Sequence, residues 1–396
     1  MNRRILALLI AFIMLFGLMT GCASGKQETA APETAQTESP AAEETTAEPE
    51  QTEEVPAEEE APAEPETVSF TDSLGRTVEL PADITRIAPS GAVATMILAA
   101  IAPECMVTIN AAPSESQMAF LPANLAALPE TGQMYGSKAD LNLETLLAAD
   151  PQVVIDLGDK KGDMTEDLDA LQEQIGIPVV FIEADLAHMA AAFRTLGGLL
   201  SGKSDRGEEL AALVDRTTAI AEENAAKITD DMRVRAMYTT GEDGLGTNAA
   251  GSMQAQVLDM VGVENAVVVE DVSNKGGGNI ISLEQLYNFD PDVILFADGS
   301  IYDTVADDSA WSQLTAISTG RYYEVPGSPY SWLSGPPSMN MILGVWWLGN
   351  LIYPEIYDYD METMTQELYK TLWGYELSSE EVTALLGNST LKAAAQ

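Results

Sequence analysis

A thirteen-residue pattern occurs twice in the chain, 140 residues apart, and it decides what the rest can build. Leu143-Glu144-Thr145-Leu146-Leu147-Ala148-Ala149-Asp150-Pro151-Gln152-Val153-Val154-Ile155 reads L-E-x-L-x-x-x-D-P-x-V-x-I, and Leu283 to Leu295 reads nearly the same. In each copy a short helix must stop before the proline, which lacks an N–H and pushes its predecessor out of the helical region. A buried strand then begins at once. The separation is too long for a solenoid repeat and fits two similar lobes.

Around the copies, apolar runs alternate with amphipathic helical stretches, which predicts an α/β fold with parallel strands. The segments Val68–Asp72 and Thr77–Leu80, separated by Ser73-Leu74-Gly75-Arg76, read as a β-hairpin. A strand over Ile84–Ala88 leads through Pro89-Ser90-Gly91 into a helix, with Ser90 as the expected N-cap. Residues 202–228 carry Leu210, Leu213, Val214 and Ile220 among charges and no proline, so one long helix is expected from about Ser204. At 1.5 Å per residue it would reach roughly 35 Å, enough to pass from one lobe to the other. The expected division is an N-terminal lobe over 67–203, an interlobe helix over 204–228 and a C-terminal lobe over 229–396. A stiff helical connection implies a small closure rather than a wide hinge.

The start of the chain gives its address. Arg3 and Arg4 precede an apolar run from Ile5 to Leu18, followed by Met19-Thr20-Gly21-Cys22. This is the order of a secretory signal over residues 1–21, and the run is short of the ~20 residues a spanning helix needs. Cys22 after Thr20-Gly21 resembles the bacterial lipobox cysteine, whose thiol is acylated, with Met19 where leucine is usual. Residues 22–66 then form an acidic tether: from Gln27 to Glu66 there are fourteen glutamates, six prolines and no lysine or arginine. Such a stretch cannot bury enough apolar surface to fold, and its like charges keep it extended.

The chain has a formal net charge of −43. Residues 67–396 still hold 48 acids against 16 bases, which argues against nucleic acid and against docking on anionic lipid. Cys105 is the other of the two cysteines and sits among Ile101, Met106 and Val107, where a buried inert thiol is expected. His188 is the single histidine, flanked by Ala187, Met189 and Ala190, and reads as a packed helix residue. One histidine leaves little for a zinc or manganese site or for Ser-His or Cys-His catalysis, and no G-x-S-x-G or H-E-x-x-H pattern occurs. Neither a catalytic residue nor a metal ligand is assigned. The scattered Met134, Met189, Met339 and Met341 read as core fillers.

Thr71-Asp72-Ser73-Leu74-Gly75-Arg76-Thr77-Val78-Glu79-Leu80-Pro81 followed by Arg86-Ile87 resembles the opening of the iron-siderophore and cobalamin class of periplasmic binding proteins. The paired L-E…D-P-x-V segments, Trp332-Leu333-Ser334-Gly335-Pro336-Pro337-Ser338, and Leu343-Gly344…Trp347-Leu348…Tyr353-Pro354-Glu355 are similar to later motifs of that class. The resemblance covers about residues 67–375. It implies two Rossmann-like lobes joined by one long rigid helix, a ligand cleft between them, and no catalysis. It further implies a monomeric receptor, without a cofactor of its own, working with an ABC transporter permease and its ATPase.

Several residues are then expected to act. Glu144 and Glu284, equivalent in the two copies, match the family's permease-docking glutamates; each also suits the N-terminus of its helix. Tyr330 and Trp332 stand on a segment bounded by Gly327, Pro329 and Pro336-Pro337, a stiff aromatic wall for a planar chelate. Tyr135 is the expected second wall. Lys160 and Lys161 follow the strand Val153–Leu157, and Lys275 precedes Gly276-Gly277-Gly278; loops after strand ends face the crevice of open α/β sheets. There they would hold an anionic chelate. Asn248, in Gly244-Leu245-Gly246-Thr247-Asn248, lies on a loop whose backbone can approach a ligand. Trp346 and Trp347 read as core.

The expected ligand is a ferric siderophore, with cobalamin or haem as alternatives for the same cleft. Readings of another class are a surface sensor or adhesive protein, or a surface enzyme. A glycosidase pair is excluded for Glu144 and Glu284 by their placement on separate lobes, beyond the ~5–10 Å such chemistry requires.

Overall fold

The structure is a computed structural model that describes residues 66–135, 139–274 and 277–390. The expected signal segment, Cys22, the tether up to residue 65, and Lys275 lie outside the described residues.

The chain enters through an antiparallel hairpin, β1 (Thr67–Thr71) and β2 (Thr77–Pro81), in the register Thr71↔Thr77. Asp72 shapes its turn: one carboxylate oxygen accepts from the backbone N–H groups of Leu74 and Arg76. The other meets the Arg76 guanidinium at 3.0 Å, with the Asp72 side chain fully buried. Asp72 and Ser73 then bond to the backbone of Phe181, seating the hairpin on the first sheet. The D-S-L-G-R motif is thus a structural clasp.

That sheet comprises β3 (Ile87–Pro89), β4 (Val153–Gly158) and β5 (Val179–Glu183), all parallel, in the order β3-β4-β5. Its helices are α1 (Ala92–Ile101), the short α2 (Glu115–Met118), α3 (Leu143–Ala148), α4 (Met164–Ile175) and α5 (Met189–Leu199). Next comes α6 (Ser204–Ala225), 22 residues long. Its buried Leu210, Leu213, Val214, Thr217, Ala221 and Asn224 recur at three- and four-residue spacing, one face of a helix. Gly207 lets α6 lie against α5, since a Cβ there would stand 2.6 Å from the Phe193 carbonyl.

The second sheet has six strands: β6 (Arg235–Thr240), β7 (Gly246–Thr247), β8 (Glu264–Asn265), β9 (Asn279–Ile280), β10 (Val293–Phe296) and β11 (Tyr322–Glu324). The order is β11-β10-β6-β7-β9, with β8 also on β6. β11, β10, β6 and β8 are parallel, but β7 runs antiparallel to both of its neighbours, β6 and β9, so this sheet is mixed rather than wholly parallel. Between and after them run α7 (Gln256–Met260), α8 (Leu283–Phe289), α9 (Thr315–Ser318), α10 (Met341–Ile352), α11 (Met361–Trp373) and α12 (Ser379–Leu386).

One continuous hydrophobic cluster runs from Val78 of the hairpin to Leu386 of α12 and includes residues of both sheets. Helix α6 lies in it, packed on α1 and α5 on one side and on α7 and α10 on the other. Arg206 of α6 donates to the carbonyls of Ala100 in α1 and of Thr371 in α11, tying three helices. Trp346 and Trp347 are buried in this core as expected, and so is Cys105. Among the described residues, no helix is long and apolar enough to cross a membrane.

Candidate functional site

A crevice of about 180 Å³ lies where the loop after β11 faces the first sheet's helices. One wall holds Thr95 and Met96 of α1, the stretch Ile109 to Pro113, and Gln117 of α2. The capping box of Ser114 and Gln117 fixes the turn at the end of that stretch. The opposite wall is Tyr330, Gly335 and Pro336. Tyr330 is half-buried, and burial pushes its hydroxyl pKa up to about 12, so it stays a neutral donor at physiological pH. A second, wider space of about 510 Å³ shares Asn110 and Ala111 as lining and adds Glu130, Thr131, Gln133, Asp140 and Asn142. The surface is therefore mixed: neutral amides and hydroxyls, an aromatic face, and acids at one side.

The neighbouring Trp332 is not part of this wall. Its side chain is buried in the core, with its indole centroid 6.4 Å from the Tyr369 ring. Gly344 of α10 lets the backbone at Trp332 come close: a Cβ there would fall 2.1 Å from the Trp332 carbonyl. The segment Tyr330–Trp332 thus turns one aromatic outward and the other in, correcting the expectation of two cleft aromatics.

Asn248 is buried behind the same loop. Its amide N–H donates to Ser334 Oγ at 3.0 Å, while its backbone carbonyl accepts from Asn265. Tyr238 hydroxyl approaches Ser331 Oγ at 3.4 Å beside it. This polar group positions the loop that carries Tyr330 and lines neither crevice.

Tyr135, Lys160 and Lys161 gather at the first sheet and line neither crevice. Lys161 Nζ stands 5.0 Å from the Tyr135 ring centroid and 3.5 Å from Asp159, and Lys160 donates to the Ser73 carbonyl of the hairpin. Their charges are engaged within the lobe. Burial, then the charges of Asp156 and Asp167, push the Tyr135 hydroxyl far above its ordinary range.

Within β4, Asp156 is buried and takes a hydrogen bond from the Ser90 hydroxyl. Ser90 does not cap α1 as expected; Gly91 occupies that place without a side-chain cap. Burial raises the Asp156 pKa to about 6, against the lowering effect of Ser90 and of Lys161. Sequence reading missed this pair, although a lone acid inside the apolar run Val153–Leu157 was a visible signal.

His188 is exposed rather than packed, because it precedes α5 instead of lying within it. Its Nδ1 lies 2.6 Å from Asp185, whose bond to the ring raises its pKa. Glu183, Asp185 and His188 bring their ligand atoms within 4.8 Å of one another, a grouping that the Asp185–His188 pair itself accounts for.

Glu144 and Glu284 occupy the same place in the two copies of the repeated pattern. Each is exposed in the first turn of a short helix capped by a side chain, Asn142 for α3 and Ser282 for α8. The next buried residues are Leu146 and Leu286, and the helices end at Asp150 and Asp290 with positive φ of 50° and 31°.

The family model "Periplasmic binding protein" matches residues 98–329. No curated protein sequence matches the chain. Among solved structures, an ABC transporter solute-binding protein from Sulfurospirillum deleyianum is similar, with 28% identity and a TM-score of 0.74 over 81% of this chain and 99% of that one. A periplasmic solute-binding protein from Veillonella parvula shares 24% identity and a TM-score of 0.67, covering 82% and 98%. A molybdate periplasmic binding protein of a Haemophilus influenzae ABC transporter shares 20% identity and a TM-score of 0.63, covering 78% and 99%. The last two show the fold alone. With a family model matched over more than half its length and the two-sheet α/β architecture, the chain belongs to the periplasmic binding protein family, the extracytoplasmic solute-binding proteins of ABC transporters.

Proposed function

We propose that this receptor is anchored by a lipid on Cys22, captures a metal chelate in the crevice at Tyr330, and passes it to an ABC permease that meets Glu144 and Glu284. A ferric siderophore is the first choice of chelate. The observation that carries the ligand reading is Tyr330, held at the crevice opposite Thr95, Met96, Asn110 and Gln117. An aromatic face opposed by neutral amides suits the organic shell of a chelate, where the metal is already coordinated and needs no protein ligand. The adjoining space brings the volume into the ~300–1,000 Å³ range usual for small-molecule sites.

The docking reading is supported by the lone carboxylates. Among the described residues, neither Glu144 nor Glu284 has an ion-pair partner within 4 Å. Exposed acids at equivalent positions offer two sockets for cationic side chains, fixing orientation more than affinity.

Native mass spectrometry with metal analysis of full-length protein from its own cells tests the ligand. One metal-bearing organic molecule per chain is expected, and its loss in Tyr330→Ala; haem or a corrinoid would move the reading to those chelates, and a bare oxyanion would sink it. Uptake tests the docking. Glu144→Lys with Glu284→Lys should retain ligand and lose transport, whereas full transport by that variant is incompatible with the reading.

A further inference from the structure

The duplicated helices carry a second matched feature that the carboxylates do not explain. Leu147 and Tyr287 are equivalent positions of the two copies, three residues after Glu144 and Glu284. Both are large and apolar, yet 46% and 43% exposed, while Leu146 and Leu286 beside them are fully buried. A three-residue spacing sets carboxylate and apolar group side by side on one helix face. Tyr287 is also held in place, its hydroxyl donating to the Ala310 carbonyl at 2.5 Å.

We propose that Leu147 and Tyr287 are apolar knobs of the permease-docking surface, one per lobe, each seating in a hollow beside the basic residue that receives the neighbouring glutamate. The inference rests on the docking role of Glu144 and Glu284. Charge selects the occupant. A second copy of this chain would bring carboxylate against carboxylate in a molecule of net charge −43. The preceding segment, with fourteen glutamates and no base between Gln27 and Glu66, is repelled for the same reason. What fits a free acid flanked by an exposed apolar side chain is a basic surface with an apolar rim, presented twice. In such a contact the charges set orientation and approach, and the buried apolar group supplies most of the holding.

The test uses full-length tagged protein, cross-linked with formaldehyde in its own cells and purified under denaturing washes, with permease peptides quantified by mass spectrometry. Leu147→Ser with Tyr287→Ser should lower permease recovery about tenfold while melting temperature and bound chelate stay unchanged. Tyr287→Phe, which keeps the ring and loses the Ala310 bond, should recover permease like the wild type. Met232→Ser alters another exposed apolar residue without a repeat counterpart and should also leave recovery unchanged. Loss of recovery in Glu144→Ala, Glu284→Ala alone, with the apolar variant like wild type, overturns the knobs and leaves docking intact. Wild-type recovery in both double variants, or no permease recovered with the wild type, overturns the docking reading and the knobs with it. Equal loss in Met232→Ser also overturns the proposal, because the effect would not be specific to the pair.

Discussion

Arg86 and Arg235 do the same work in different lobes. The Arg86 guanidinium donates to the carbonyl of Asp150 at the end of α3, and that of Arg235 to the carbonyl of Phe289 at the end of α8. Each arginine's own carbonyl accepts from the residue after the following proline, Gln152 at 2.9 Å and Asp292 at 2.8 Å. Helix ends leave carbonyls unpaired, and a guanidinium satisfies several at once. The two glutamates of the proposed docking surface are therefore carried by helices clamped in the same manner.

The clamp includes a strained residue whose two copies should respond differently to mutation. Asp150 and Asp290 are the non-glycine residues of positive φ among those described. Asp150 is exposed, so Asp150→Gly should be neutral or stabilising within about 1 kcal/mol. Asp290 also accepts from the Thr315 backbone and hydroxyl at 3.0 and 2.9 Å, so Asp290→Gly should cost about 1–2 kcal/mol. Urea unfolding of the two variants gives the comparison; equal effects would contradict it.

Asp72→Ala should be severe. It takes from the Arg76 guanidinium, 8% exposed, its buried partner, leaving the more exposed Asp169 at 2.8 Å, and removes the acceptor of the Leu74, Arg76 and Phe181 N–H groups that seats the hairpin on β5. A loss of about 3–5 kcal/mol is expected from chemical denaturation, with the crevice unaltered in the fraction that stays folded.

Asp156 should make stability depend on pH. Its folded pKa is raised to about 6, so its contribution is fully present below the unfolded value near 4 and is lost as pH rises through 6. Asp156→Asn, which cannot ionise, should gain on the wild type between pH 4 and 7, on the order of 3 kcal/mol, and hold that gain at higher pH. A difference independent of pH would show that the carboxyl titrates normally.

Cys22→Ser tests the address. The variant should be found free of membranes or unprocessed, where the wild type needs detergent for release. Unchanged anchoring would mean that residues 1–22 act otherwise.

The duplicated helices, the hairpin, the long helix and the Trp346–Trp347 core were legible because each rests on local spacing or on residues a few positions apart. Trp332 was not. A proline-bounded loop predicts stiffness, but the ring that receives the buried indole, Tyr369, and the glycine that lets the backbone of Trp332 approach α10, Gly344, are distant in sequence. Ser90 was misplaced for a similar reason: local pattern favoured a helix cap, and a buried carboxylate 66 residues away took its hydroxyl instead. The crevice wall at Asn110 and Gln117 carries no motif, since neutral amides in a loop look alike whether they face ligand or water.

Because the largest hydrophobic cluster joins both sheets through α6, the two lobes are expected to melt together. With such coupling, a molecule bound in the crevice should raise one transition by an amount set by its concentration over its dissociation constant. A thermal-shift screen of intact protein thus reads occupancy without a fluorescent ligand or a reporter residue.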